Sequence, residues 1–125
     1  MKNLNECFEY IDNLNMKDLD DFLNLSEKEA IVGTHFGFGM WLRNNLGLWT
    51  DNELTKWFNQ HNIHHADDMS GIIITSYHRH KNGKDIKLQE QIDHYVQFWI
   101  ESEKNEKLRL KKQRKEKLKK IDRNQ

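Results

Sequence analysis

Two short segments hold most of the residues able to do chemistry in this chain of 125 residues. The first carries His35, Arg43 and Asn44, the second Asp67, Asp68 and Ser70. An imidazole oriented by a carboxylate is an acid/base pair, and a guanidinium fork grips an anion through two parallel N–H bonds. Together the six would line a polar binding pocket. The same groups have a plainer use: Arg43 pairs with Asp67 or Asp68 across two helix ends while His35 makes one buried hydrogen bond. A satisfied polar network is the commoner use of such residues. No nucleophile sits in a recognised elbow, and Ser70 and Cys7 lack local signatures.

Three further groups invite a reading. His61, His64 and His65 precede the Asp pair, and imidazoles with carboxylates are ligands for zinc or a similar ion. The segment between Asn62 and Ala66 leaves the helix, however, which breaks the four-residue spacing of His61 and His65, and neither HExxH nor a Cys/His framework occurs. No metal site and no cofactor are expected. Lys111, Lys112, Arg114 and Lys115 lie in a basic C-terminal stretch suited to phosphates, although no aromatic residue there could stack on bases and the acidic remainder would repel the same backbone. Trp41, Trp49, Trp57 and Trp99 are many for so small a core, and the first three are candidate anchors for a partner.

The elements that position these residues read as helices. Leu4, Phe8, Ile11 and Leu14, with Cys7 beside Leu4, recur at helical spacing and predict a helix over about residues 3–13. A shorter one holds Leu19, Phe22 and Leu23. Ser26-Glu27-Lys28-Glu29 has the reciprocal capping pattern, so a third helix starts at about Glu27. Ile31, His35, Phe38 and Leu42 fall on one stripe of it, with Trp41 alongside. Gly33, Gly37 and Gly39 each cost this helix roughly 0.8–1 kcal/mol relative to Ala, which close approach of another helix at the bare side of Ala30, Gly33 and Gly37 would offset. Asn44, Asn45 and then Gly47 end it.

Thr50-Asp51-Asn52-Glu53 repeats the cap pattern before Leu54, Trp57 and Phe58, predicting a helix to about His61. Gly71-Ile72-Ile73-Ile74-Thr75 has strand-like β-branching, but Asp67 or Asp68 as cap, Asn82-Gly83 as stop and the lack of a partner strand favour a helix. Leu88, Ile92, Tyr95, Val96 and Trp99 form the clearest amphipathic stripe, in a helix starting near Asp85 or Ile86. Beyond Ile100 the stripe thins, and Glu103 with Lys107 and Glu116 with Lys120 pair at four residues.

Hydrophobic residues make up 36% and charged residues 32%, lean for a core but assisted by the large aromatics. Formal net charge is zero, yet residues 101–125 carry 11 Lys or Arg against 5 Asp or Glu, so a basic tail of +6 follows an acidic body of −6. No run of about twenty apolar residues spans a membrane, and the acids of MKNLNECFEY do not suit a signal peptide. A cytoplasmic location is expected, and the single Cys7 reads as a half-buried helix residue.

The run His35-Phe36-Gly37-x-Gly39-Met40-Trp41-x-Arg43-Asn44-Asn45-x-Gly47-Leu48-Trp49, with Asp67-Asp68-Met69-Ser70-x-Ile72-Ile73 and Asn82-Gly83, resembles a small bacterial domain family of unknown function. The resemblance covers roughly residues 26–99. Where that family often has Pro before the Asp pair, this chain has Ala66, which weakens the helix start and removes no candidate group. The resemblance implies a small domain and no particular activity.

The reading is an all-α, single-domain bundle of about five helices over residues 1–102, with the glycine-bearing helix central, the Leu88–Trp99 helix packed on it, and a basic tail over 103–125 that is partly helical or disordered. The expected role is a non-catalytic protein-binding module, of adaptor or inhibitor type, docking on a larger protein. An accessory nucleic-acid binder using the tail is the first alternative, and a small enzyme using His35, Arg43 and Asp68 the second. A homodimer pairing the basic tail with an acidic body is also compatible with the charges.

Overall fold

A computed structural model describes residues 1–124, and its described residues are helical with no strand. Helix α1 spans Leu4–Asn13, α2 Leu19–Asn24 and α3 Glu27–Thr34. A π-helical turn, His35–Gly39, joins α3 to α4, Met40–Asn45. Helices α5, Glu53–Gln60, α6, Ala66–Lys81, and α7, Leu88–Arg123, complete the order. The residues divide into two units, Met1–Ile92 and Asp93–Gln125.

Local chemistry sets the boundaries. Asn3 accepts from the Glu6 N–H to open α1. Ser26 Oγ accepts from the Glu29 N–H and donates its own proton to the Glu29 carboxylate, so the reciprocal cap closes through side chains. At α5 the box is two residues later than the Thr50–Glu53 pattern suggests: Asn52 accepts from Thr55 N–H, and Thr55 Oγ1 accepts from Asn52 N–H. His65 precedes α6 without a side-chain cap, so Asp67 and Asp68 lie inside the first turn rather than capping it.

Three helices end in the same way. A left-handed residue follows each of them, Gly47 at φ 63°, Asn62 at 64° and Gly83 at 69°. The next N–H then reaches back five residues: Leu48 to the Arg43 carbonyl, Ile63 to Phe58 and Lys84 to Arg79. This Schellman closure satisfies carbonyls that a helix end leaves open.

The π turn corrects the uniform helix expected over 27–45. One inserted residue sets every later side chain back by about 100° relative to a straight α-helix. Without it, the buried or half-buried set from Ala30 to Leu46 would spread over roughly 220° of the helix, too wide for one interface; with it, the set gathers into roughly 140°. Ala30, Leu42, Arg43 and Leu46 are then buried on the side where Ile31, His35 and Phe38 are half-buried. Thr34 marks the transition, its Oγ1 donating to the Ala30 carbonyl, a back-bond that bends helices.

The glycine expectation is also corrected. A Cβ at Gly33 or Gly37 would meet nothing within 4 Å among the described residues. Gly39 is the crowded one: its Cβ would lie 3.1 Å from Arg43 Nη1 and 3.2 Å from the Thr34 carbonyl oxygen.

The centre of the Met1–Ile92 unit is α6 rather than the glycine-bearing helix. It is buried continuously from Met69 to His78 and packs against α1, α2, α3, the π turn and α4. Its apolar side chains, among them Ile72, Ile73 and Ile74, meet core residues on every side, which is why the segment looked strand-like. Its polar groups tie the other elements down: Tyr77 OH donates to Asp12 at 2.7 Å, His78 Nε2 donates to the Leu25 carbonyl at 2.9 Å, and Gln91 donates to Ser76 at 3.0 Å. Arg79 holds both carboxylate oxygens of Glu27, at 2.6 and 3.1 Å.

Helix α7 runs unbroken to Arg123, so the tail is helical, and it starts at Leu88 instead of Asp85 or Ile86. Within the stripe read from the sequence, Ile92 is buried, Leu88, Tyr95 and Val96 are half-buried and Trp99 is exposed. That stripe is therefore not the sealed core face the sequence suggested.

The tie points make stability depend on acid. The Tyr77 hydroxyl, and after it Lys81, hold the Asp12 carboxyl below the usual carboxylate range, and Arg79 does so for Glu27. The unfolded chain therefore takes up these protons first, so the stabilisation is complete above about pH 5 and is lost as pH falls through the depressed folded values. Urea titrations from about pH 7 down to about pH 3 should show the midpoint falling below about pH 4. The Asp12→Asn, Glu27→Gln double variant should start with a lower midpoint and fall less steeply. An unchanged acid slope in the double variant would refute the assignment.

Candidate functional site

Arg43 is the buried cation of the fold, 2% exposed. It projects from α4 across the π turn toward the first turn of α6. Its Nη1 donates to Ser70 Oγ at 2.9 Å and its Nη2 to the His35 carbonyl at 2.9 Å. Ser70 in turn donates to the Asp67 carbonyl at 2.9 Å. Nε lies 3.3 Å from Asp67 Oδ1, but its N–H is not directed at that oxygen, so the contact is an ion pair without a hydrogen bond. The Asp67 side chain is 59% exposed, so water shares its charge and the pair contributes at most about 1 kcal/mol.

Of the six residues expected to form a polar pocket, the structure brings Arg43, Ser70 and Asp67 together. His35 joins through its backbone carbonyl, while its ring stands edge-on to Phe36 with centroids 4.8 Å apart. Asn44 faces elsewhere and accepts from the Trp49 indole N–H at 3.1 Å. Asp68 is half-buried in the first turn of α6. The guanidinium is spent on protein acceptors and shielded from solvent, so the arrangement locks α4 to α6 and leaves no gripping fork for an anion.

The aromatic candidates separate in the same way. Trp57 packs on His61, centroids 4.5 Å apart, and His61 Nδ1 lies 2.8 Å from the Trp57 carbonyl. That histidine is thereby occupied, and among the described residues no three His, Cys, Asp or Glu converge as a metal site. Trp41 stacks on Tyr10 and on Phe38 and stays partly exposed. Trp49 is 63% exposed. Lys111, Lys112, Arg114 and Lys115 are all exposed on α7. Burial pushes the Cys7 thiol up to about 12, so it is inert at neutral pH.

Sequence reasoning missed the most exposed large side chain of the segment. Phe36 is 81% exposed, with Val32 at 67% and Met40 at 44% at four-residue intervals along the same helical run. Gly33 and Gly37 lie beside them with open space where side chains would be. A shallow groove of about 350 Å³, lined by Lys28, Glu29, Val32 and Gly33, continues this face. The signal was present as apolar residues at i, i+4 and i+8 flanked by glycines, but a helix-long apolar stripe usually means core.

A family model described as Domain of unknown function (DUF6794) matches residues 2–81, taking in α1 to α6. No curated protein and no solved structure matches the chain.

Substitutions separate the lock from its exposed partner. Arg43→Ala leaves a cavity, the Ser70 hydroxyl and the His35 carbonyl unmatched and should cost about 2–4 kcal/mol in urea unfolding. Asp67→Asn should cost less than about 1 kcal/mol. Gly39→Ala should lose about 1–3 kcal/mol because the Thr34 carbonyl it would press against is backbone. Equal losses for Arg43→Ala and Asp67→Asn would show that the ion pair, and not the hydrogen bonds, holds the lock.

Proposed function

From the premise that this chain belongs to the DUF6794 family of domains of unknown function, we propose that it is a non-catalytic protein-binding module that docks on a larger protein. The observation carrying this reading is the face formed by Val32, Phe36 and Met40 beside the bare Gly33 and Gly37. Burying a Val or Phe side chain from water contributes about 1.5–3 kcal/mol, so this face supplies two or three anchors. The glycines expose helix backbone, which lets a partner helix approach more closely than any side chain would permit. Asn44 holds Trp49 at the far end of the segment, and an aromatic fixed before binding loses less entropy when a partner covers it. The enzyme alternative is the weaker one, because Arg43 is consumed by the fold and the His35 ring faces Phe36.

A second reading has its own observation. Residues 107–123 carry ten Lys or Arg against Glu116 and Asp122 on one continuous helix, a density suited to salt-sensitive phosphate contact. Replacing Lys111, Lys112, Arg114 and Lys115 with Ala should then abolish retention on DNA or RNA at low salt while leaving protein capture intact.

The glycines offer a sharp check on the first reading. Because Gly33 and Gly37 meet nothing, Gly33→Ala with Gly37→Ala should raise stability by roughly 0.5–2 kcal/mol through helix propensity. The same variant should capture at least tenfold less of a stoichiometric partner from host lysate, as should Phe36→Ser. Capture unchanged in both folded variants would remove this face from the binding role.

A further inference from the structure

Helix α7 repeats at a spacing that differs from a coiled-coil heptad. Leu88, Trp99, Leu110 and Ile121 stand eleven residues apart, three full turns, so they fall in nearly one line along a straight helix. Ile100 and Leu118 border that line. Trp99, Ile100, Leu110, Leu118 and Ile121 are each at least 40% exposed, a line of apolar side chains in contact with water.

Charge along the same helix is divided. Residues 88–106 carry five acids against Lys104, a net of −4, whereas residues 107–123 have a net of +8. Two copies side by side in parallel would put +8 against +8. Turned antiparallel about the middle of 94–123, residues 94–106 at −2 meet residues 111–123 at +6 at both ends.

We propose that residues 93–123 of α7 pair antiparallel with the same helix of a second copy of this chain. A two-fold axis between Leu108 and Arg109 places Trp99 opposite Leu118, Val96 opposite Ile121, Glu103 opposite Arg114 and Glu106 opposite Lys111 of the second copy. Apolar pairs then close the ends of the seam and opposite charges occupy its middle. An isologous contact of this kind closes at two chains. Thirty-one residues rise about 46 Å, and a contact strip about 10–12 Å wide removes roughly 1,000 Å² in all. That area is at the lower limit for a specific interface, so the dimer is concentration-dependent.

Sedimentation equilibrium of the full chain, treated with nuclease, tests the pairing. The mass should rise from monomer to dimer across the micromolar range, and Leu110→Lys, an exposed position outside the Met1–Ile92 unit, should raise the dissociation constant at least tenfold. Crosslinking tests the orientation, since the buried Cys7 thiol does not compete. Ile100→Cys and Lys117→Cys chains should form a disulfide when mixed and little when kept apart. A monomer throughout the micromolar range overturns the proposal. So does an apparent dimer that vanishes with nuclease, which would assign the basic half to nucleic acid, or efficient self-crosslinking of each single variant, which would mean a parallel pair.

Discussion

A guanidinium taken out of water needs partners for its donors, and the Met1–Ile92 unit is arranged around that requirement at Arg43, of which only Nε stays without a hydrogen bond. The His35 carbonyl and the Ser70 hydroxyl answer it from two different helical segments. Meeting both requires that the helix carrying Arg43 be rotated relative to the helix before it, and the π turn supplies the rotation. It also requires that nothing stand between, which Gly39 provides by having no Cβ. The π turn, the glycine and the arginine are therefore one device, and none of the three is explained without the other two.

Ser70 hands the constraint on to α6. A helix buried on all sides has no polar face on which to place polar side chains, so each of its polar groups must find a partner inside. Ser70, Ser76, Tyr77 and His78 do so, and each partner lies on a different segment of the Met1–Ile92 unit. The apolar residues of α6 supply the attraction, and these bonds select which segment sits where. His78 shows the cost of this arrangement: with Nε2–H given to the Leu25 carbonyl, its Nδ1 is buried without a hydrogen-bond partner.

What could be read in advance follows from range. Caps and stops are written within about four residues, so the starts at Leu4 and Glu27 and the closures at Gly47 and Gly83 were legible. That Ile31, His35, Phe38 and Leu42 share one side was also legible from their period, and the structure turns that side inward. The π turn was not, since one inserted residue changes phase without changing composition. Nor were the pairings of Arg43 with Ser70 and of Arg79 with Glu27, whose members are 27 and 52 residues apart. For the candidate site, the structure brings together Arg43, Asp67 and Ser70 of the six residues whose types drew notice. Residue types could not say that His35 would contribute its carbonyl, or that Asn44 would turn toward Trp49.

The same rephasing that gathers the inward set determines what is left outside. Once Ala30, Leu42, Arg43 and Leu46 share one side, Val32, Phe36 and Met40 fall on the other, and no rotation of this helix could bury both groups together. A chain under selection only for stability would put polar residues there and alanines at Gly33 and Gly37, since both changes fit the backbone as it stands. Exposed apolar side chains beside unneeded glycines are a cost that the fold does not itself recover. On the proposed reading that cost is recovered when a partner covers the face, which is the physical content of treating it as a docking surface.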